Sequence, residues 1–386
     1  MNGNRFVTEI MRNDAASISF DAFEAAILET DVLPPGDVAP VLLGLYGEVG
    51  GIMSAAKKHV REKNAYPGYR KAAVEEFGDT LWYLATLCKR IGTTLDALFK
   101  KASQGSGFST VSVASDLPIG AVAVVAAPAA TPILDETLFD LGAAASELLA
   151  ARADIEALKC SLLTFARCYL VALHAAKLSF AEVARLNIAK TRGAFIDPDL
   201  SQLPQFDDSF EEEEQIPRQF RIGISLRNGG RSYLRWNGVF IGDPLTDNIA
   251  DSDGYRFHDV LHLAYAAILH WSPVFRALIK QKRKSRPEFD ENEDGGRAIV
   301  VEEGVTAWIF TRAKELDYFA GQDRISFGML KSVQEFVTGF EVAQCPLKLW
   351  ERAILDGYAV FRKIRQANGG WIVGDRDCRS IHFEPL

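Results

Sequence analysis

Apolar residues recur three and four positions apart through most of the first half of the chain, the spacing of helices with one buried face. A first helical block spans about 20–105. The run Pro34-Pro35-Gly36 breaks it early and predicts a helix start near Asp37. The pattern then predicts helices over 41–58, over 71–88 with an end near Gly92, and over 94–102. Residues 104–131 change character: Ser, Gly, Ala, Val and Pro with almost no charge, read as a linker with a β-prone patch at 111–113. A second helical block covers 135–195.

The two blocks end alike. GTTLDALFKKA (92–102) and KLSFAEVARLN (177–187) each pair a small polar cap with apolar positions three and four apart. Similar apolar helices, LWYLATLCKRI and TFARCYLVALHA, stand upstream of both. An internal duplication predicts this, although the second copy has no carboxylates where the first has Glu76 and Asp79; chance likeness of two amphipathic helices is the alternative.

Residues 197–215 contain two prolines and an acidic run at 211–214, a domain boundary. The remainder, 216–386, reads as α+β. Alternating strands are predicted at 218–226 and 233–241 around a turn at Asn228-Gly229-Gly230. Helices follow at about 251–283, 297–320, 326–341 and 346–367, then a strand pair near 371–373 and 380–383; 287–296 is read as a loose loop. The expected fold is mostly α. Helical bundles at 1–105 and 135–200, joined by an Ala/Pro-rich linker at 106–134, precede an α+β domain at 216–386.

Composition narrows this picture little. The chain has 386 residues, 48% hydrophobic and 24% charged, with a formal net charge of -8. That length supports more than one core. The acidic balance gives no reason to expect general nucleic-acid binding. Five scattered cysteines without a C-x-x-C pair argue against a disulfide framework and predict a reducing, cytoplasmic setting. MNGNRFVTEIMRND has no basic region followed by an apolar run, so no secretory signal is predicted. The apolar stretch at 119–133 is too short to span a membrane, and no membrane partner is expected.

The first candidate chemistry is acidic. Glu76 and Asp79 are three apart, and Glu75 and Asp79 four apart, on the predicted 71–88 helix. Those offsets bring the side chains to one face. The same helix carries Leu81, Leu84, Ala85 and Cys88, so the carboxylates stand beside a packing stripe. Buried carboxylates repel one another unless a cation neutralises them, and grouped oxygen ligands suit Mg²⁺. An ordinary solvated acidic face has the same spacing.

Read together, GLYGEVGGIMSAAKK and EEFGDTLWYLATL resemble the MazG-like all-α nucleoside triphosphate pyrophosphohydrolases. Those enzymes carry G-L-x-G-E-x-G-E on one helix and E-E-L-G-D-x-L-W-Y-L on the next. The likeness covers about 38–105, with a degenerate second copy at 135–195. It implies an Mg²⁺-dependent enzyme that releases pyrophosphate from a nucleoside triphosphate and leaves the monophosphate. Glu48, Glu76 and Asp79 would hold the metal, with Glu75 as a spare ligand or base. The chain departs from the pattern at Gly51, where the family has the second glutamate of its E-x-x-E. The family's closing N-x-A-K-x-x-R is represented by NIAKTRG at 187–193, after the second copy. Asn187, Lys190 and Arg192 are therefore candidate substrate contacts, as are Lys57 and Lys58. Trp82 is a candidate for base stacking, its alternative being a core position. Relatives commonly pair helices between protomers, so a homo-oligomer is possible on this resemblance; a true second copy would let one chain supply both halves.

A second candidate lies at FHDVLHLAYAAILHW. Three of the six histidines, His258, His262 and His270, fall here. His258 and His262 are four apart, the spacing of a metal-gripping imidazole pair, with Asp259 beside them as a possible base. Glu302 or Glu303 is expected to complete a site for a second divalent metal such as Zn²⁺ or Mn²⁺. Histidines satisfied within a core are the alternative. Two rival functions stand beside the pyrophosphohydrolase. One is a catalytically weakened nucleotide-sensing or scaffold protein, which Gly51 favours. The other is a C-terminal metal-dependent hydrolase regulated by the first block.

Overall fold

A computed structural model describes residues 19–104, 107–113, 122–126, 130–227 and 229–386. The N-terminal segment read above for a signal, parts of the 104–131 linker and Asn228 lie outside the described residues. The chain divides into two compact units, Met1–Ile196 and Asp197–Leu386, the break falling at the start of the Pro- and acid-rich boundary segment. The architecture is mostly α, with an α+β second unit, as the pattern predicts.

The first unit contains α1 (Phe20–Thr30), α2 (Ala39–Glu62), α3 (Tyr69–Arg90) and α4 (Leu95–Ser103), then α5 (Leu134–Ala150), α6 (Ile155–Ala175) and α7 (Phe180–Phe195). Local chemistry sets the ends. Asp37 Oδ1 accepts the Ala39 amide at 2.9 Å just before α2. Gly92, at φ +74, turns the chain out of α3. Thr94 caps α4 and Ser179 caps α7, each hydroxyl accepting the amide three residues on. Between α4 and α5, β1 (Ser109–Val113) pairs antiparallel with β2 (Val122–Ala126), so the linker carries a strand pair around the expected β-prone patch.

The seven helices among the described residues share one core, so 135–195 is not a separate body. Phe20, Phe99 and Phe180, from α1, α4 and α7, meet with ring centroids 5.2–5.5 Å apart. Hairpins α2–α3 and α5–α6 each pack along their length, and the last helix of each set crosses to the middle helix of the other: α4 against α6, α7 against α3. The α3–α7 contact is tight at Gly78. A Cβ there would lie 3.0 Å from Asn187 Cβ and 3.3 Å from the Val183 carbonyl oxygen. The stretch Ala39–Ala65 is long and apolar enough by composition to cross a membrane; the apolar face of α2 packs into this core.

In the second unit a five-stranded antiparallel sheet has the order β5-β4-β3-β6-β7, from β3 (Gln219–Arg227), β4 (Arg231–Trp236), β5 (Val239–Leu245), β6 (Gly369–Asp375) and β7 (Ser380–Glu384). The single strand expected at 233–241 is two strands. Asn237 (φ +47) and Gly238 (φ +83) make a tight turn between them, the Asn-Gly preference of a two-residue hairpin. The long helix expected at 251–283 is also broken. It comprises α8 (Asp259–Ala264), a π turn over Tyr265–Leu269 and α9 (Pro273–Ile279). His270 stops it with a left-handed backbone, and Ser272 recaps the chain by accepting the Phe275 amide.

The expected loose loop at 287–296 contains α10 (Pro287–Asn292). Beyond it, fully buried Asp294 forms a bidentate pair with Arg283 at 2.7 and 3.0 Å. Next come α11 (Gly296–Glu315), α12 (Phe327–Phe336) and α13 (Leu347–Ala367). Gly357 lets α13 close on α8, where a Cβ would meet Ala264 Cβ at 3.0 Å.

Two stability outcomes follow. Gly78→Val overpacks the α3–α7 crossing and is expected to cost about 1–3 kcal/mol in a denaturant titration. A neutral result would mean that the crossing relaxes freely. Asp294→Ala removes one bidentate partner of buried Arg283, leaving the guanidinium to Glu341 and the Phe206 carbonyl oxygen, and is expected to cost about 1.5–3 kcal/mol. Wild-type stability in that variant would return 287–296 to the status of a loose loop.

Candidate functional sites

The acidic residues of the first unit stand on facing helices, Glu48 on α2 and Glu75, Glu76 and Asp79 on α3. Gly51 lies one turn past Glu48 and makes room for Glu76: a Cβ there would sit 2.0 Å from Glu76 Oε2. Where the related pattern has a glutamate, this chain therefore has a hole filled by a carboxylate of the opposing helix. Glu48 and Glu76 share a hydrogen bond. Burial, then the charges of Asp79 and Glu76, push the Glu48 carboxyl up to about 8, against the pull of Lys190. Glu48 accordingly holds the proton between the two groups at neutral pH.

Helix α7 supplies the counter-charge. Asn187 Nδ2 donates to Asp79 Oδ1 at 2.9 Å, and Lys190 Nζ bonds both Asp79 Oδ2 and, at 2.7 Å, Glu75 Oε1. Burial works against the Lys190 ammonium, but Asp79 and Glu75 outweigh it and raise its pKa. Asn187 is buried, and its Oδ1 has no protein partner among the described residues. The structure thus brings Glu48, Glu75, Glu76, Asp79, Asn187 and Lys190 together from three helices.

The other expected contacts lie elsewhere. Trp82 is in the core, its indole Nε1 donating to Thr30 Oγ1 at 3.0 Å, which leaves no free ring face at the acids. Arg192 is exposed and pairs with Glu29 at 2.8 Å. Lys57 and Lys58 are exposed on α2. Lys57 lines a cleft with Val60, Arg61 and Phe139, about two and a half helical turns past Glu48 and so on the opposite face of α2. One neighbour went unread in the sequence: Tyr83. Its ring fills the space beside Gly44, where a Cβ would lie 2.2 Å from it. Burial raises the Tyr83 hydroxyl, with Glu48 and Asp79 adding to the shift. The L-W-Y-L run contained the signal, but the larger Trp82 drew attention from it.

In the second unit, His258 caps α8 and His262 lies one turn on, their ring centroids 5.4 Å apart. His258 Nδ1 donates to the Tyr255 carbonyl oxygen at 2.9 Å, and Tyr255 stacks on the His258 ring at 4.3 Å. His262 Nδ1 donates to Glu302 Oε1 at 2.8 Å. Both tautomers follow from these acceptors. Glu302, fully buried, also accepts from Ser272 Oγ at 2.6 Å and from the Val274 amide at 2.8 Å. The next residue, Glu303, faces the other side of the histidines, its Oε2 3.4 Å from His258 Nε2 and 3.5 Å from His262 Nε2. Asp259 is buried beside both histidines; burial raises its pKa, and the imidazoles pull it back. His270 stands apart, bonded to Gln205 and to the Arg376 carbonyl oxygen. Burial, then Arg376 and Arg379, drive it down to about 3.

Residues 201–386 match a family described as MazG C-terminal domain. This supports a MazG-like relationship for the block that sequence reading alone had left without a relative, and it does not reach the first unit. The matched stretch lies in the second unit and includes both histidines and both glutamates. No curated protein and no solved structure matches the chain.

The raised Glu48 carboxyl has a pH consequence. Its pKa is about 8 in the folded protein against an ordinary value of 4.5. Above pH 4.5 the unfolded chain gives up this proton while the folded one keeps it. Without divalent metal, stability should therefore fall as pH rises from about 5 to about 8, then level off. Glu48→Gln, which mimics the protonated acid, should flatten that decline. Melting curves at several pH values in chelator check it; equal slopes for wild type and variant would deny Glu48 the proton.

Proposed function

We propose that the first unit is a Mg²⁺-dependent nucleoside triphosphate pyrophosphohydrolase centred on Glu48, Glu76 and Asp79. The observation that carries this reading is the convergence of carboxylates from α2 and α3 on an amide and an ammonium from α7, a neutralisation that no solvated face would need. Asp79 is held by an ammonium and an amide, and Glu48 by a proton. The donor set fits Mg²⁺, being all oxygen, and the Glu48 proton is one that a cation would displace. The MazG C-terminal match in the second unit points to the same family.

On this reading Glu48, Glu76 and Asp79 hold the ion, which when bound neutralises phosphate charge and acidifies water. Lys190 is the phosphate contact. Its ammonium is held charged and already lies against Asp79, so a triphosphate entering there finds a positioned cation. Asn187 offers its free Oδ1 as an acceptor. Glu75, whose Lys190 partner the incoming phosphate draws away, is the carboxylate placed to take a proton from water. Tyr83 stays protonated at neutral pH and can donate to the substrate. Products are pyrophosphate and a nucleoside monophosphate. The two helical sets read as two copies of one unit, of which only the first kept its acids. With α7 crossing to α3, one chain delivers Lys190 to Asp79 without help from a second.

Pyrophosphate release from a panel of ribo- and deoxynucleoside triphosphates with Mg²⁺ tests the proposal. Asp79→Ala is expected to lower turnover at least about a hundred-fold, as for loss of a group that stabilises transition-state charge. Circular dichroism should stay unchanged. Turnover that survives in Asp79→Ala would remove the site. Nucleotide binding without turnover in the wild type would favour a sensing module, the outcome in which the Gly51 departure has silenced catalysis.

A further inference from the structure

We propose that His258, His262 and Glu303 bind one divalent transition-metal ion of the zinc class, with Glu302 as the residue that orients His262. This goes beyond the nucleotide chemistry assigned to the first unit and does not depend on it.

Both imidazoles already use Nδ1. The Tyr255 carbonyl takes one and the Glu302 carboxylate the other, so each ring presents its Nε2 on the same side as Glu303. His262 is fully buried, and its Nε2 has no hydrogen-bond partner among the described residues. A buried nitrogen left so is costly unless something outside the protein completes it. The three ligand atoms lie within 4.8 Å of one another.

The spacing of Glu303 from the two nitrogens fits a metal site better than a closed salt bridge. A charged imidazole–carboxylate bond closes to about 2.7–2.9 Å. Glu303 Oε2 stands off at 3.4 and 3.5 Å from the two nitrogens. Ligands about 2.0–2.1 Å from one tetrahedral ion are separated by about 3.4 Å along each edge of the tetrahedron. Two imidazoles and a carboxylate suit zinc, manganese or iron better than magnesium.

The surroundings complete the argument. Glu302 accepts from His262, Ser272 Oγ and the Val274 amide at the start of α9, so it is a fixed anion behind the imidazole. A carboxylate in that place sets the tautomer of a ligating histidine and strengthens it as a donor. Adjacent glutamates on α11 therefore divide the work, one on each side of the same ring. The Glu303 side chain is 41% exposed, whereas the two histidine side chains are 8% and 0%. The site is thus walled by protein on the imidazole side and open at Glu303. Three ligands and an open side are the arrangement of a centre that keeps a coordination position for water or substrate.

The test uses the full-length protein, stripped with chelator and titrated with Co²⁺ as a spectroscopic stand-in for zinc. One equivalent should bind with the visible absorption of a tetrahedral ion, and zinc should displace it. Asp79→Asn should bind Co²⁺ unchanged, which separates this centre from the acidic one; loss there would assign the metal to the first unit instead. Glu303→Gln, at the exposed ligand, and His258→Ala should abolish the signal. Glu302→Gln should weaken binding about ten- to a hundred-fold without removing the ligands. His262→Ala empties a fully buried position and is informative only if circular dichroism shows it folded; Glu303→Gln carries the test in either case. Folded wild-type protein that takes up no stoichiometric Co²⁺, or uptake undiminished in Glu303→Gln and His258→Ala, would overturn the proposal.

Discussion

The close approach of α3 and α7 at Gly78 governs the first unit. With no side chain at 78, the two backbones come near enough for Asn187 and Lys190 to reach Asp79, although they are more than a hundred residues apart in sequence. That reach is what lets α3 carry three acids beside a fully packed face. Phe77, Leu81 and Leu84 of the same helix are buried, so the helix cannot rotate its carboxylates into water without pulling its apolar stripe from the core. A carboxylate held there without compensation would be costly. The four acids find two solutions. Asp79 and Glu75 take the ammonium, and Glu48 and Glu76 share a proton across the space left by Gly51.

How far the sequence discloses this depends on the range of the interaction. Helices α2, α3, α4 and α13 are legible nearly to their ends, because periodicity, caps and glycine stops are local. The acid grouping on α3 is legible from i, i+3 and i+4 offsets alone. Which side chain answers those acids is not. Asn187 and Lys190 stood out only through a motif that resemblance supplied, and Arg192, in the same motif, turns to Glu29 instead. Gly51 reads in sequence as a missing ligand. Its role as space for Glu76 exists only once α2 and α3 face each other. Trp82 shows the reverse case: a position with suggestive chemistry whose hydrogen bond to Thr30 fixes it in the core.

The second unit was harder to read, for identifiable reasons. Apolar runs do not distinguish one long helix from three short pieces, so His270, whose left-handed backbone ends the π turn, was absorbed into a helix. Asn237-Gly238 was overlooked because flanking alternation continues through the turn. The acidic composition of 287–296 suggested solvation, yet Asp294 is one of the most deeply buried charges, because Arg283 answers it from the preceding turn. The histidine spacing was visible, but the choice between Glu302 and Glu303 was not. Consecutive residues on a helix point about 100° apart. Only the packing of α11 against α8 decides which one faces the Nε2 atoms and which one backs the ring.

The two carboxylate-bearing centres are neutralised in opposite ways, and this bears on what each would admit. At the histidine centre, the groups that satisfy the protein, Tyr255 and Glu302, bind the rear of the ligands and leave their front atoms aimed at one point. A cation there meets nitrogens that no ammonium or amide of the protein holds. At the acidic centre the front atoms themselves are engaged, Asp79 by Lys190 and Glu48 by its proton. A lone cation entering must expel the proton and face the ammonium, both unfavourable. A triphosphate changes that balance, because it gives Lys190 a new partner and releases Asp79. On the proposed reading, metal and nucleotide therefore each improve the other's binding, a coupling that is reciprocal by linkage. Lys190 is then both the substitute counter-ion of the resting centre and the reason that the centre discriminates a nucleotide-bound cation from a free one.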